Sequence, residues 1–121
     1  MPHITLEYSG NISGCDFRIL FEDLKNQLVA TGEVPALGIK CRALPSADYF
    51  IIDGNPEYKM INLLFRLREG RSVEVRKKIS EIGMAVLEKY FAKEIQKKEI
   101  ILSTEVKELV TGIDLTKNSI R

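Results

Sequence analysis

The same order of hydrophobic periods occurs twice along this chain, and that repetition constrains the fold more than any other feature. Ile4, Leu6 and Tyr8 alternate with His3, Thr5 and Glu7, the period of two expected of a half-buried strand. After Ser9-Gly10-Asn11 and Ser13-Gly14, Asp16 can cap a helix whose Phe17, Leu20, Phe21, Leu24 and Leu28 share one face, with Gly32 placed to end it. Beyond Pro35, Leu37 to Leu44 reads as a second strand, with Ile39, Cys41 and Ala43 on one side and Lys40 and Arg42 on the other. A short hairpin is expected at Tyr49 to Ile52, before the Asp53-Gly54-Asn55-Pro56 turn cluster.

The cycle then restarts. Tyr58 to Leu67 reads as a longer strand, Ser72 as the cap of a helix, and Val75, Ile79, Ile82, Val86, Tyr90 and Phe91 as its stripe, reaching about Lys93. Lys98 to Val106 supplies a last strand. First strands and helix starts are each offset by about 56 residues, a weak internal repeat. The expected fold is α+β: a single domain over 1–121, made of tandem β-α-β pseudo-repeats at about 2–57 and 58–110 with a tail at 111–121. Each crossover should be right-handed with parallel strands, and the halves should join into one sheet covered by two helices on the same face. Ile61, Leu63, Phe65 and Leu67 alternate with Met60, Asn62, Leu64 and Arg66, so both faces of that strand carry apolar groups. A face without helices then needs cover from other copies of the chain, which predicts a closed cyclic oligomer.

Composition narrows the function. With 45% apolar and 29% charged residues the chain can bury a core, and a net charge of +1 gives no overall attraction to nucleic acid or an anionic membrane. No apolar run of spanning length and no signal-like region opens the sequence, which makes the cytoplasm the default location. Cys15 and Cys41 form no metal-ligand spacing with the single His3, and two thiols in that setting read as reduced; neither disulfide nor zinc is expected. The glycines are scattered at turns and form no phosphate-binding loop, which argues against a nucleotide cofactor.

Two groups of residues carry possible chemistry. Removal of Met1 would leave Pro2 with a free secondary amine, and an α-amino group titrates near neutrality, at roughly 7.7–8.0. Such an amine can take up and return a proton at physiological pH; the plainer role is a proline that opens an edge strand. Lys40, Arg42, Arg68 and Arg71 form the second group. Arg71 stands just before the Ser72 cap, where a guanidinium and free helix N–H groups suit a carboxylate, although cations at such positions are commonly just solvated. His3 lies on the face opposite Ile4. Lys77-Lys78 and Lys97-Lys98 read as solvated helix ends.

Met1-Pro2-His3, Ala30-Thr31-Gly32, Pro35, Gly38-Ile39-Lys40-Cys41-Arg42, Asp53-Gly54, Gly70-Arg71-Ser72 and the stretch from Leu115 to Asn118 occur in an order that resembles the 5-carboxymethyl-2-hydroxymuconate isomerase family of the tautomerase superfamily. The resemblance spans nearly the whole chain. It implies a homotrimer of β-α-β repeats that works without a cofactor, with Pro2 as the acid-base catalyst. Arg71 and Arg42 match arginines of the family, whereas Lys40 stands where the family typically has arginine and offers a point charge in place of a planar fork. The substrate so implied is a small anionic dienol or keto acid held by Arg71, Arg42 and Lys40, with apolar side chains such as Phe50 excluding water. A tautomerase of another 2-hydroxydienoate or an arylpyruvate, or a non-enzymatic trimeric interaction protein, would share these features.

Overall fold

The structure, a computed structural model, describes residues 1–120. Its strands are β1 (His3–Ser9), β2 (Lys40–Ser46), β3 (Lys59–Arg68) and β4 (Ile100–Leu109), and its helices are α1 (Phe17–Ala30), α2 (Val73–Tyr90) and α3 (Ala92–Gln96). The sheet order is β2-β1-β3-β4, parallel within each half and antiparallel where β1 meets β3. This is the tandem β-α-β arrangement expected from the repeat. Ser9 extends the central seam beyond its last paired residues, because its fully buried hydroxyl accepts a hydrogen bond from Met60 N at 3.0 Å.

The helix boundaries follow local chemistry. Asp16 accepts from Arg18 N at 3.0 Å, and Ser72 accepts from Val75 N at 3.2 Å, so each helix start has a donor satisfied by its cap. At the other end of α1, Gly32 adopts φ +79°, a left-handed conformation that stops the helix at little steric cost. Leu20, Leu24 and Leu28 of α1 and Ile79, Val86 and Leu87 of α2 pack with Ile4, Leu6, Ile61, Leu63, Phe65 and Leu67 in one core. Both helices therefore lie on the same sheet face. The other face carries Lys40, Arg42 and Leu44 of β2, His3, Thr5 and Glu7 of β1, and the alternate residues of β3 and β4.

Four features differ from those expected. Ala36–Gly38 forms a 3₁₀ turn, so β2 begins at Lys40 and not at Leu37. Gly38 packs so closely on the start of the chain that a Cβ there would collide with Met1 backbone atoms, a tertiary contact that overrides the strand pattern. Tyr49–Ile52 forms no hairpin strands; the segment runs without regular structure into a turn that contains Gly54 at φ +83°. The second helix ends at Tyr90, and a separate short helix over Ala92–Gln96 leads to β4, which extends to Leu109.

At Gly83 α2 packs closely on the sheet, since a Cβ there would lie 2.7 Å from Phe65 Cζ and 3.0 Å from Leu63 Cδ2. Ala would gain about 1 kcal/mol of helix propensity, against about 1–3 kcal/mol for forcing a buried ring aside. Gly83→Ala should therefore lower stability, and Phe65→Leu should relieve part of that loss. Denaturant titrations of the single and double variants at fixed protein concentration test this; additive losses, or a stabilised Gly83→Ala, would contradict the packing.

Candidate active site

Pro2 is buried at the head of β1, and its carbonyl accepts from Lys40 N at 3.2 Å. Parallel pairing sets His3 beside Lys40 and Thr5 beside Arg42, while antiparallel pairing sets His3 opposite Arg66. Arg66 in turn pairs with Lys107 of β4. The first row across the helix-free face thus reads Lys40, His3, Arg66 and Lys107, and the next reads Arg42, Thr5, Leu64 and Glu105. Lys40 and Arg42 share one face of β2, as the strand pattern implied, and the register sets Lys40 beside the head of β1. Arg66 joins them, and sequence reasoning had treated it only as one alternating position of a long strand. Its signal lies in the register of two strands far apart in sequence.

Like charges opposite one another in a sheet are unfavourable, and the electrostatics of this corner reflect that. Burial, followed by Lys40, Arg66, Arg42 and the chain terminus, holds the His3 imidazole below its ordinary pKa. Burial, followed by Arg42 and Arg66, likewise lowers the Lys40 ammonium. Lys40 Nζ donates to Gly38 O at 3.2 Å. Among the described residues, the ion pairs within 4.0 Å leave out Lys40, Arg42 and Arg66. The Nε of Arg66 and the Nδ1 of His3 are buried without a hydrogen-bond partner.

Arg71 sits at the same end of the sheet, after β3, but outside these rows. Its Nε and Nη2 donate to Glu33 O at 3.3 and 3.0 Å, and its Nη1 donates to Arg68 O at 3.2 Å. The guanidinium thereby ties the segment after α1 to the turn before α2, using donors that would otherwise face a carboxylate. Arg68, the other cation considered, ends β3 opposite Leu109. Phe50, 76% exposed, lies in the loop that leaves β2 at the far end of the strand from Lys40. Within one chain it does not shield Pro2. Cys41 is no candidate nucleophile, because burial pushes its thiol pKa up to about 11.

The tail adds a wall that the periodic patterns did not reveal. Leaving β4 at Leu109, it returns so that Asn118 Nδ2 donates to Leu37 O at 2.8 Å. A cleft of about 250 Å³ lies between Leu37, Gly38 and Lys40 on one side and Thr116, Asn118 and Ile120 on the other. A second hollow of about 320 Å³, bordered by Asn11, Cys15, Lys59, Tyr90 and Glu94, is at the opposite end of the sheet.

With this geometry in hand, comparison with known proteins is specific. The family model described as 5-carboxymethyl-2-hydroxymuconate isomerase matches residues 2–121. A 5-carboxymethyl-2-hydroxymuconate Delta-isomerase of Escherichia coli is 29% identical over 121 residues, covering 99% of this chain and 96% of that one. The crystal structure of a 5-carboxymethyl-2-hydroxymuconate isomerase from Deinococcus radiodurans R1 superposes with a TM-score of 0.90 at 32% identity, over 98% of this chain and 90% of the other. A fused 4-OT, described as a symmetric trimer, shares the fold at a TM-score of 0.69 and 13% identity, over 97% and 92% of the chains. The chain therefore belongs to the 5-carboxymethyl-2-hydroxymuconate isomerase family and is an isomerase built on the tautomerase fold.

Proposed function

We propose that this isomerase moves a proton along a 2-hydroxymuconate-type dienol acid, with the nitrogen of Pro2 as base and then acid. The observation that carries the reading is the position of Pro2. It heads a central strand one residue before His3, whose cross-strand neighbours are the cations Lys40 and Arg66. The mechanism requires removal of Met1, since an acylated proline nitrogen has no basic lone pair. Gly38 packs against Met1 with no side chain between, so loss of Met1 would open space beside the Pro2 nitrogen and next to the cleft under the tail.

In this scheme the neutral amine accepts the proton of the dienol hydroxyl, leaving a dienolate. The resulting prolinium returns a proton to a carbon further along the conjugated chain, giving the unsaturated ketone with no net redox change and no cofactor. Lys40 and Arg42 hold substrate carboxylate, and the charge of Arg71 at the edge of the site helps them stabilise the dienolate, an interaction that is usually the largest catalytic contribution. Cations beside an amine also favour its neutral, basic form. Lys40 supports a second substrate reading, a different 2-hydroxydienoate or an arylpyruvate, because an ammonium lacks the planar fork that grips a carboxylate through two bonds.

The active unit in this proposal is a cytoplasmic homotrimer. The helix-free sheet face supports it, because Leu44 and Ile101 there are 46% and 47% exposed and Met60 and Leu64 are only half-buried. One layer of helices leaves that face for other subunits to cover.

Two measurements test the proposal. Intact mass of active enzyme should show a chain starting at Pro2, and Pro2→Ala should retain helical content while losing turnover by about 100-fold or more. Active enzyme that keeps Met1, or a fully active Pro2→Ala variant, would move the chemistry elsewhere. Sedimentation velocity at micromolar concentration should give a species of three chains. A stable monomer would show that the open face needs no cover.

A further inference from the structure

The cationic row on the open face contains a residue to which neither the family resemblance nor the proposed mechanism assigns a role. Arg66 lies across β1 from Lys40, with His3 between them. Cross-strand Cα atoms are about 4.5–5.5 Å apart and sequence neighbours about 3.8 Å, so the Cα of Arg66 lies within about 10 Å of that of Pro2, a gap that its side chain and a bound carboxylate together can span. The carboxylates of this face are committed elsewhere or remote. Glu105 uses Oε2 to accept from Asn62 at 2.7 Å and Oε1 for Lys107 at 3.8 Å. Glu7 lies two rows away, between Leu44 and Asn62.

The row therefore divides into a neutralised end and an unsatisfied one. Lys107 has Glu105, whereas Arg66 keeps a buried Nε without a partner beside the equally unpartnered Nδ1 of His3. Holding like charges opposite one another costs stability that packing must offset, and a bound anion removes that cost. Arg71, the guanidinium expected to grip carboxylate, has already spent Nε, Nη1 and Nη2 on the carbonyls of Glu33 and Arg68. Arg66, like Arg42, makes no such bond among the described residues, and of the two it is Arg66 that shares a row with Lys40 and His3.

We propose that Arg66, acting with Lys40 across His3, binds a second carboxylate of the substrate and makes the site selective for dianionic over monoanionic conjugated acids. The inference deepens the proposed function by naming what sets its substrate class. A planar fork suits a carboxylate through two parallel hydrogen bonds, and Lys40 supplies the opposing point charge. Substrate would then lie across the open face at this end of the sheet, one carboxylate toward Arg42 and the other in the row of Arg66.

The test uses two unreactive probes of equal length, trans,trans-muconate with two carboxylates and sorbate with one, titrated calorimetrically into the Met1-free protein. Wild type should bind muconate about 10-fold or more tightly than sorbate, as expected for an added charge-assisted contact. Arg66→Ala should lose about that factor for muconate and change sorbate less than about 2-fold, while Arg66→Lys should recover part of the loss. Sedimentation and circular dichroism must match wild type; if Arg66→Ala fails to fold, Arg66→Gln takes its place with the same expected outcomes. No preference for muconate in wild type, an unchanged muconate affinity in the variant, or equal losses for both probes would each overturn the assignment. Neither probe turns over, so such a failure is separate from any failure of Pro2 chemistry, which turnover alone reports.

Discussion

The antiparallel seam between β1 and β3 holds two β-α-β halves in one sheet, and the placement of every candidate group follows from it. Pairing Ile4 with Phe65 and Leu6 with Leu63 commits one face of both strands to the core, where all four side chains are at most 1% exposed. A slip of one residue would turn these groups outward and bring His3 and Arg66 inward. The register that buries the core is thus the same register that lines up the cations. Because β1 begins at His3 and lies between two strands, Pro2 is held at an interior position of the sheet and not on a frayed edge.

That arrangement also explains why charge collects where it does. The beginnings of β1 and β2 and the end of β3 meet at one end of the sheet, along with the close of α1, the turn before α2 and the returning tail. Segments that meet there have no further sheet to join, so their side chains and backbone carbonyls are available for each other or for a ligand. Arg71 takes the first course and Arg66 has no partner that would force it to. Gly38 has no side chain to fill the head of β1, where even a methyl group would strike Met1.

Much of this was legible in the amino-acid order. The periods of two and 3.6, the caps at Asp16 and Ser72 and the stop at Gly32 are local signals, and they located both helices and the core strands. Lys40 and Arg42 share a strand, so their common face was also readable. What escaped was set by contacts between distant segments. The turn at Ala36–Gly38 packs against the start of the chain, the bonding of Arg71 depends on Glu33, and the role of Arg66 depends on a partner strand about 60 residues away. The stretch from Tyr49 to Ile52 carries β-forming side chains, yet Ile51 is buried while Phe50 and Ile52 stay exposed, and no ladder pairs them. Propensity there is overridden by the lack of a neighbouring strand.

The central claim is that the nitrogen of Pro2 is the reactive base beside a carboxylate-binding corner. An acetylenic 2-keto acid tests it directly, because a neutral amine adds through its lone pair to the terminal side of the activated triple bond, forming one N–C bond while a proton goes to the adjacent carbon. After incubation with the reagent, peptide mapping should find the adduct on the nitrogen of Pro2 in a chain lacking Met1, in proportion to lost turnover. Activity lost with Pro2 unmodified and label on Lys40, Cys15 or another side chain would contradict the account.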